Sequence, residues 1–590
     1  MNNWAKQKDN FTLPANEGTD KLCSLKDAIR EMVKPNMYIH FAQTGARWPT
    51  AAIFEIARQF WGTDPKFTLV GISMNFPQSV LVHGKLVKKL ISSYFGEPYL
   101  RPGPNGVFQR AFRENTLEFE NWSILTLPLR FEAAAKGLPF ITTNSLIGSS
   151  MEKDNPDSFK VIDDPFGSGK KVGILKPIAP DISIQFGVAA DKYGNTLLCP
   201  PVAEDTFGAM ASKNGVIVMA ENLVDTAFIR KHSHLPFLPG DYVKKVCHVP
   251  FGGHPSGLSK IGMPEFDGYT EDKEKVDEVR MATKDPEKIE AWIQEWVLGC
   301  KDHGEYLKKL GRKRLLLLKG LSAPNSWEAD INEYDFKPPN EYNKTERMLV
   351  FAANTIQKKI LKAGHHTVLA GAGMANLAAW LAVFHLKQTK YDVELMAEVG
   401  MYGYNPRPFD PSLFNQCNFY TCKSVSNIPT VMGLYMSGAN NQCVGIIGFG
   451  QIDMYGNVNT TLIPGKTYIA GSGGANDIAS SAKEVIVIGT QSKRRFLDKI
   501  PYITSPGTLT RILITNLGIY EKKTHKSEFV LTGYFNDPDL GSEEKIVRNI
   551  KDNCGFDLKI AEKLTLLPEP CLEDIEMLRY WDPNGYFLEV

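Results

Sequence analysis

The pentapeptide DKYGN at Asp191–Asn195 returns as DMYGN at Asp453–Asn457. Each copy is followed by an Ala- and Ser-containing helical run and then by a VIV strand, Val216–Val218 in one case and Val485–Val487 in the other. Five residues alone could recur by chance. With matching elements on either side, the recurrence reads as a diverged internal duplication, so the chain is expected to fold as two related units.

Both units repeat one rhythm. In the first, Met37–Phe41 reads as a strand, TGARWP as a turn, and the run after Pro49 as a helix with Ile53, Phe54, Ile56 and Ala57 on its apolar face. Further strands are expected at Phe67–Ser73, Ser123–Leu129, Ser183–Asn195 and Gly215–Glu221, with helices at Cys23–Met32, Ser79–Phe95 and Leu129–Lys136. Gly148–Lys171 reads as a polar, turn-rich stretch, and Tyr269–Lys309 as a solvated helical region. In the second unit, His366–Gln388 is again strand, G-x-G turn and amphipathic helix. Strands alternating with helices imply parallel sheets covered on both faces. The fold class is therefore α/β, as two tandem Rossmann-like open-sheet halves related by duplication. The break between them is polar, holds three prolines and lacks a helical or strand period. The expected boundaries are an arm at 1–22, a first α/β domain at 23–320, a linker at 321–344 and a second domain at 345–590.

Charge and cysteine usage narrow the function classes. Lys plus Arg number 67 against 66 for Asp plus Glu, a net charge of +1 that recruits neither nucleic acid nor an anionic membrane. The nine cysteines are scattered without C-x-x-C spacing, which fits a reducing compartment and argues against structural zinc. His232, His234, His365 and His366 have no partners at ligand spacing, so no metal is expected. The polar N-terminus lacks a signal-peptide core and Leu315–Leu318 is too short to span a bilayer, so a cytoplasmic protein is expected.

The chemistry gathers in the second half. In ELMAEVGMYGYNP (Glu394–Pro406), one acid, Glu398, sits between a short apolar run and Gly400 and Gly403. That places it at the carboxyl end of a buried strand, where open α/β sheets bind ligands. Taken alone, the segment is also compatible with a solvated loop acid. Gly448–Ser481 is dense in Gly, Asn and Thr, and Gly471, Gly473 and Gly474 allow the backbone to approach a ligand closely. This stretch does not match a G-x-x-x-x-G-K-[ST] phosphate loop. The G-x-G at Gly371 and Gly373 lacks the third glycine of a dinucleotide fingerprint, so NAD is not expected.

AEVGMYGYNP, GFGQIDMYGNVNTT, AGSGGANDIAS and QSKRRF with ITSPG together resemble the second subunit of the family I CoA-transferases, in the style of glutaconate CoA-transferase. TGARWPTAAIFEIAR, NTLEFENWS, RFEAAAKGLPF, AADKYGN and VPFGGHPSG resemble the partner subunit, so the chain looks like both subunits fused. The resemblance implies an active site between the halves and a ping-pong cycle on the matching carboxylate, Glu398, through a mixed anhydride and a glutamyl-CoA thioester. It also implies acyl-CoA and carboxylic acids as partners, with CoA entering as the substrate thioester, and a homo-oligomer of fused chains with one site each. Gly473 and Gly474 are the expected oxyanion donors, and Gly371, Gly373 and Gly471 are expected to border CoA. Gly400, Asn457, Asn459 and Thr460 are expected to orient substrate oxygens, although the Asn and Thr side chains are equally suited to forming turns. Many family members carry a Gly-Gly-Phe turn where this chain has TGARWP. Arg47 there is a candidate for the distal carboxylate of a dicarboxylic acid, or else a surface arginine. Lys493, Arg494 and Arg495 are candidates for CoA phosphates or a solvated cluster. Glu118 and Glu120 would serve as acid or base in a hydrolytic relative. A CoA-thioester hydrolase or C–C cleaving enzyme of the same fold is the alternative function, and a non-catalytic CoA or anion sensor the next.

Overall fold

The computed structural model describes residues 17–43, 47–97, 102–334 and 339–589, so most of the expected arm and Thr44, Gly45 and Ala46 of the TGARWP turn lie outside the described residues. The first half carries parallel strands β1 (Tyr38–Phe41), β2 (Phe67–Val70), β3 (Val87–Ser92), β4 (Glu118–Asn121), β5 (Ile182–Ala190), β6 (Val216–Leu223) and β7 (Val243–His248). They lie side by side in the order β4-β3-β2-β1-β5-β6-β7. The second half repeats the run β2-β1-β5-β6-β7 with β8 (Thr367–Ala370), β9 (Glu394–Ala397), β10 (Cys443–Ile447), β11 (Glu484–Ile488) and β12 (Thr510–Ile514). Their order is β9-β8-β10-β11-β12, again all parallel. Each half thus has a doubly wound core whose order reverses beside its first strand, the place where such sheets leave a crevice at their carboxyl ends.

Burial follows from that topology. All nine residues of β5 and all four of β9 are buried, because crossover helices cover both faces of a parallel sheet. Helix α1 (Thr50–Phe60) follows Pro49 and buries its first eight residues. Helix α2 (Lys344–Ala363) opens with an Asn343/Glu346 capping box and stops at Gly364, whose φ of 68° suits glycine. Helix α3 (Met374–Gln388) is apolar almost all round, since it is sandwiched between α2 and the sheet.

The two D-x-Y-G-N turns are the same object twice. Asp191 Oδ1 accepts the amides of Tyr193 and Asn195, both at 3.0 Å, and its other oxygen accepts Asn195 Nδ2 at 2.8 Å. Asp453 makes the corresponding bonds to Tyr455 and Asn457 at 3.0, 3.0 and 2.9 Å.

Several expected elements are corrected. Ser123–Leu129 is not a strand: β4 ends at Asn121 and a helix runs over Thr126–Ala135, started by Ser123 Oγ accepting the Thr126 amide. A short apolar run carries no period able to separate the two states. The expected helix Ser79–Phe95 is a helix only over Phe76–His83 and then becomes β3. Gly148–Lys171 contains a helix, Ser150–Asp154, and a strand, Phe159–Asp163, paired with Lys171–Leu175. The expected linker holds a helix at Trp327–Glu333. Among the described residues, no helix is long and apolar enough to cross a membrane.

Candidate active site

Glu398 is the first residue past β9, in a turn closed by the Gly400 amide donating to Ala397 O at 3.1 Å. Gly400 has φ 119°, and a Cβ there would lie 2.5 Å from Ser426 O. Its role is therefore to let that turn form. It does not line the cavity beside Glu398, which corrects its assignment to substrate.

The glycine stretch opposite is stitched to the first half. Phe95 N donates to Ala470 O at 2.6 Å, Gly473 N to Ser93 O at 2.9 Å, and Ile124 N to Gly473 O at 3.0 Å. A Cβ on Gly471 would stand 2.4 Å from Ser93 O, and that residue's φ of 125° is itself a glycine conformation. The chain then enters helix α4 (Ala475–Ser481), and Asp477 in its first turn accepts Ser123 Oγ at 2.6 Å and Leu125 N at 3.1 Å. Second-half backbone and carboxylate are thus held by residues that follow β3 and β4.

These contacts set the electrostatics of Glu398. Burial pushes its carboxyl up to about 7, the negative charge of Asp477 adds to the rise, and the Gly474 backbone N–H opposes it. Asp477 is itself raised to about 6 by burial, against the bonds it accepts from Ser123 and Leu125. Burial and a neighbouring carboxylate both oppose the charge of Glu398, a setting unlike that of a fully solvated loop acid.

Both halves line one cavity of about 450 Å³ at Glu398. Gln43, Trp48, Ile72 and Tyr94 form the first-half wall; Gly371, Gly373, Phe449, Thr460 and the 469–475 stretch form the other. Of the sequence candidates, the cavity brings together Glu398, Gly371, Gly373, Thr460, Gly471, Gly473, Gly474 and Arg495. The Thr460 hydroxyl donates to Gly471 O at 2.9 Å, bracing the stretch.

Other candidates stand elsewhere. Arg47 is buried, pairs with Asp205 and donates to Phe186 O and Pro201 O at 3.0 and 3.1 Å. Its charge is neutralised inside the first half, so it does not receive a distal carboxylate. Asn457 serves its turn and accepts the Gly507 amide at 2.9 Å. Asn459, fully buried, bonds Gln451 Oε1 and Leu462 O at 3.0 and 2.9 Å. Both asparagines are structural. Gly473 borders the cavity, but its amide is engaged by Ser93 O, which removes it as an oxyanion donor. Glu120 is tied to Lys89, Arg130 and Trp122 Nε1, and neither it nor Glu118 lines the cavity. Lys493 and Arg494 are exposed away from it. Arg495 lies on its wall beside Phe449, with a guanidinium nitrogen 3.2 Å from Thr490 O.

Sequence reasoning missed Asp477, and it missed Ser472 and Gln43, whose buried side-chain polar atoms at the cavity have no partner among the described residues. The signal for Asp477 was present: an acid in the first turn of a helix that follows the glycine stretch.

The chain is similar to known proteins over both halves. A family model described as "Coenzyme A transferase" matches residues 23–248 and 352–528. One of the two subunits of the glutaconate CoA-transferase of Acidaminococcus fermentans is 31% identical over 318 residues, spanning 51% of this chain and 94% of its own length. An uncharacterized protein of Archaeoglobus fulgidus is 31% identical over 302 residues, 51% of this chain, which spans only 64% of its length. Both subunit types of the glutaconate and 3-oxoadipate CoA-transferases occur among the relatives, and they match the two halves of this one chain. Among solved structures, an acyl-CoA transferase of E. coli O157:H7 in thioester complex with CoA shares the fold at TM-score 0.63 and 17% identity, covering 96% of this chain and 97% of its own.

Proposed function

This chain belongs to the coenzyme A transferase family, a family of enzymes that transfer CoA, and we propose that it moves CoA between an acyl-CoA and a carboxylic acid through covalent intermediates on Glu398. The observation that carries the reading is the position of Glu398: an acid past the carboxyl end of β9, facing Gly474 in a cavity walled by both halves.

In the first step the Glu398 carboxylate adds to the thioester carbonyl, the C–S bond breaks, and a mixed anhydride and CoA thiolate result. The thiolate then adds to the glutamyl carbonyl, releasing the first carboxylic acid as its carboxylate and leaving a glutamyl-CoA thioester. The acceptor carboxylate reverses both steps. CoA changes partners without free hydrolysis because each intermediate stays covalently held.

Gly474 has two tasks in this cycle. In the resting protein its N–H favours the charged carboxylate. When thiolate or acceptor attacks the glutamyl carbonyl, the oxyanion develops on an oxygen of Glu398 itself, beside Gly474; one such donor is typically worth ~3 kcal/mol. The Ser472 hydroxyl, buried on the cavity wall with no partner among the described residues, is available to the oxygen of the acyl group. Gly371 and Gly373 after β8 and Arg495 border the part of the cavity assigned to CoA.

The test is direct. Acyl-CoA supplied without acceptor is expected to leave CoA attached at Glu398, read by peptide mass spectrometry, and initial rates with both substrates are expected to be ping-pong. Glu398→Gln is expected to form no adduct and to lose transfer while keeping its melting temperature. An adduct on another residue, or full transfer by Glu398→Gln, would overturn the assignment. Steady release of free CoA without an acceptor would favour the hydrolase instead.

A further inference from the structure

Gln43 is the least explained polar side chain at the cavity. It is fully buried, it lines the same space as Glu398, and both its Oε1 and its Nε2 lack a partner among the described residues. A carboxamide taken out of water with neither end bonded carries the full desolvation penalty of both groups, and such a group in a cavity has a ligand as its natural partner.

The sheet fixes how far from the reacting atoms that ligand group sits. Gln43 follows β1, Ile72 follows β2 and Ser93 follows β3, and these three strands are adjacent and parallel. Ser93 O holds Gly473, next to the Gly474 that faces Glu398. Neighbouring strands are ~4.8 Å apart, so Gln43 stands about 10 Å from Ser93 along the carboxyl edge of the sheet. That backbone separation, less the reach of a glutamine side chain, leaves its carboxamide beside the acyl chain beyond the thioester carbonyl. The walls between are apolar, with Ile72, Ile124 and Trp48. Arg47, four residues on, already faces Asp205, and the cation on the cavity wall, Arg495, belongs to the second half.

We infer that Gln43 is a specificity-determining residue that hydrogen-bonds an uncharged polar group, a hydroxyl or carbonyl, on the acyl chain several carbons from the thioester. The acyl groups preferred by the enzyme are then hydroxy- or oxo-substituted, neither plain alkyl nor ω-carboxylated. A carboxamide offers a donor group and an acceptor: a hydroxyl matches both, a carbonyl takes the donor, and neither brings into the buried site a full charge that a neutral carboxamide does not balance.

This inference rests on the transferase reading of the same cavity, and the experiment separates the two. Transfer is measured for a matched set of acyl-CoA donors of equal length, with a distal methyl, hydroxyl, ketone or carboxylate, in wild type and in Gln43→Leu and Gln43→Met. Wild type is expected to favour the hydroxyl or ketone donor over the methyl by about tenfold in kcat/KM, the worth of one neutral hydrogen bond to a buried group. Both variants are expected to lose that preference through KM, the hydroxyl and ketone donors falling to the level of the methyl donor in the same variant. Their melting temperatures are expected to hold or rise, because an unpartnered polar group is removed. If no donor is transferred, the transferase reading fails. The inference is then read from binding of the same four thioesters to Glu398→Gln with and without Gln43→Leu, by calorimetry. A preference for the distal carboxylate, or a hydroxyl-to-methyl ratio unchanged by both substitutions, overturns the role of Gln43. A fall in melting temperature with unchanged selectivity would mark it as structural.

Discussion

Gly474→Ala isolates the geometry of the nucleophile from every other property of the cleft. Gly474 has φ −84° and ψ −3°, a conformation open to any L-residue, so alanine introduces no backbone strain. What it introduces is a methyl group 2.1 Å from Glu398 Oε2 and 3.2 Å from Met432 Cε. Carbon and oxygen not bonded to each other need well over 3 Å, so the carboxylate must retreat by roughly 1 Å, a displacement of the size that can lower a rate about a hundredfold. The retreat also draws the carboxylate from the Gly474 N–H, the interaction that holds its pKa down against burial and Asp477. Two signatures are expected together: kcat for transfer reduced about a hundredfold, and an acid limb of the pH profile displaced upward from pH 7. Steady-state transfer across pH 5.5 to 9, with thermal melting as control, reads both. A variant with unchanged kcat and unchanged profile would mean that Glu398 does not work from its position against Gly474.

Three further outcomes are expected. Because Glu398 is raised to about 7 and must be ionised to attack, kcat/KM is expected to fall as pH drops through 7, towards tenfold per unit, and to level above it; a profile flat from pH 5 to 8 would contradict the raised carboxyl. Arg47→Met strands Asp205, whose carboxyl burial already raises to about 6, and is expected to destabilise the first half by ~3–5 kcal/mol in denaturant titration. The relative kcat/KM among acyl donors is expected to stay as it was, whereas a selective loss for dicarboxylic substrates would restore Arg47 to the site. Gly471→Ala puts a methyl 2.4 Å from Ser93 O at a φ of 125°, so it is expected to loosen the junction between the halves and to lower both melting temperature and transfer.

What could be read from the sequence divides along a physical line. Features that depend on local permission were legible. The D-x-Y-G-N turns need Asp, Gly and Asn at fixed offsets, and both copies close with the same three bonds. The position of Glu398 just past a buried strand was legible because an acid between an apolar run and two glycines has few places to go. Features that depend on a distant partner were not. Arg47 looks like a free guanidinium until Asp205, 158 residues later, is folded against it. Ser123–Leu129 has the composition of a strand, and it becomes a helix start because its first residues cap it and hold Asp477 from the other half. The glycine stretch lies on that line. Its composition announces that backbone amides can approach a ligand, yet the amides of Gly473 and Gly474 differ completely in what they are free to do. One is taken by Ser93 of the first half and the other is left facing Glu398. Glycine grants the conformation, and only the docking of one half on the other decides which amide is left for chemistry. For the same reason Gln43 carries no signal in the sequence, since its meaning lies in both ends of its carboxamide lacking a partner among the described residues, where Gln78, Gln185, Asn376, Gln416 and Asn418 lack one at a single end.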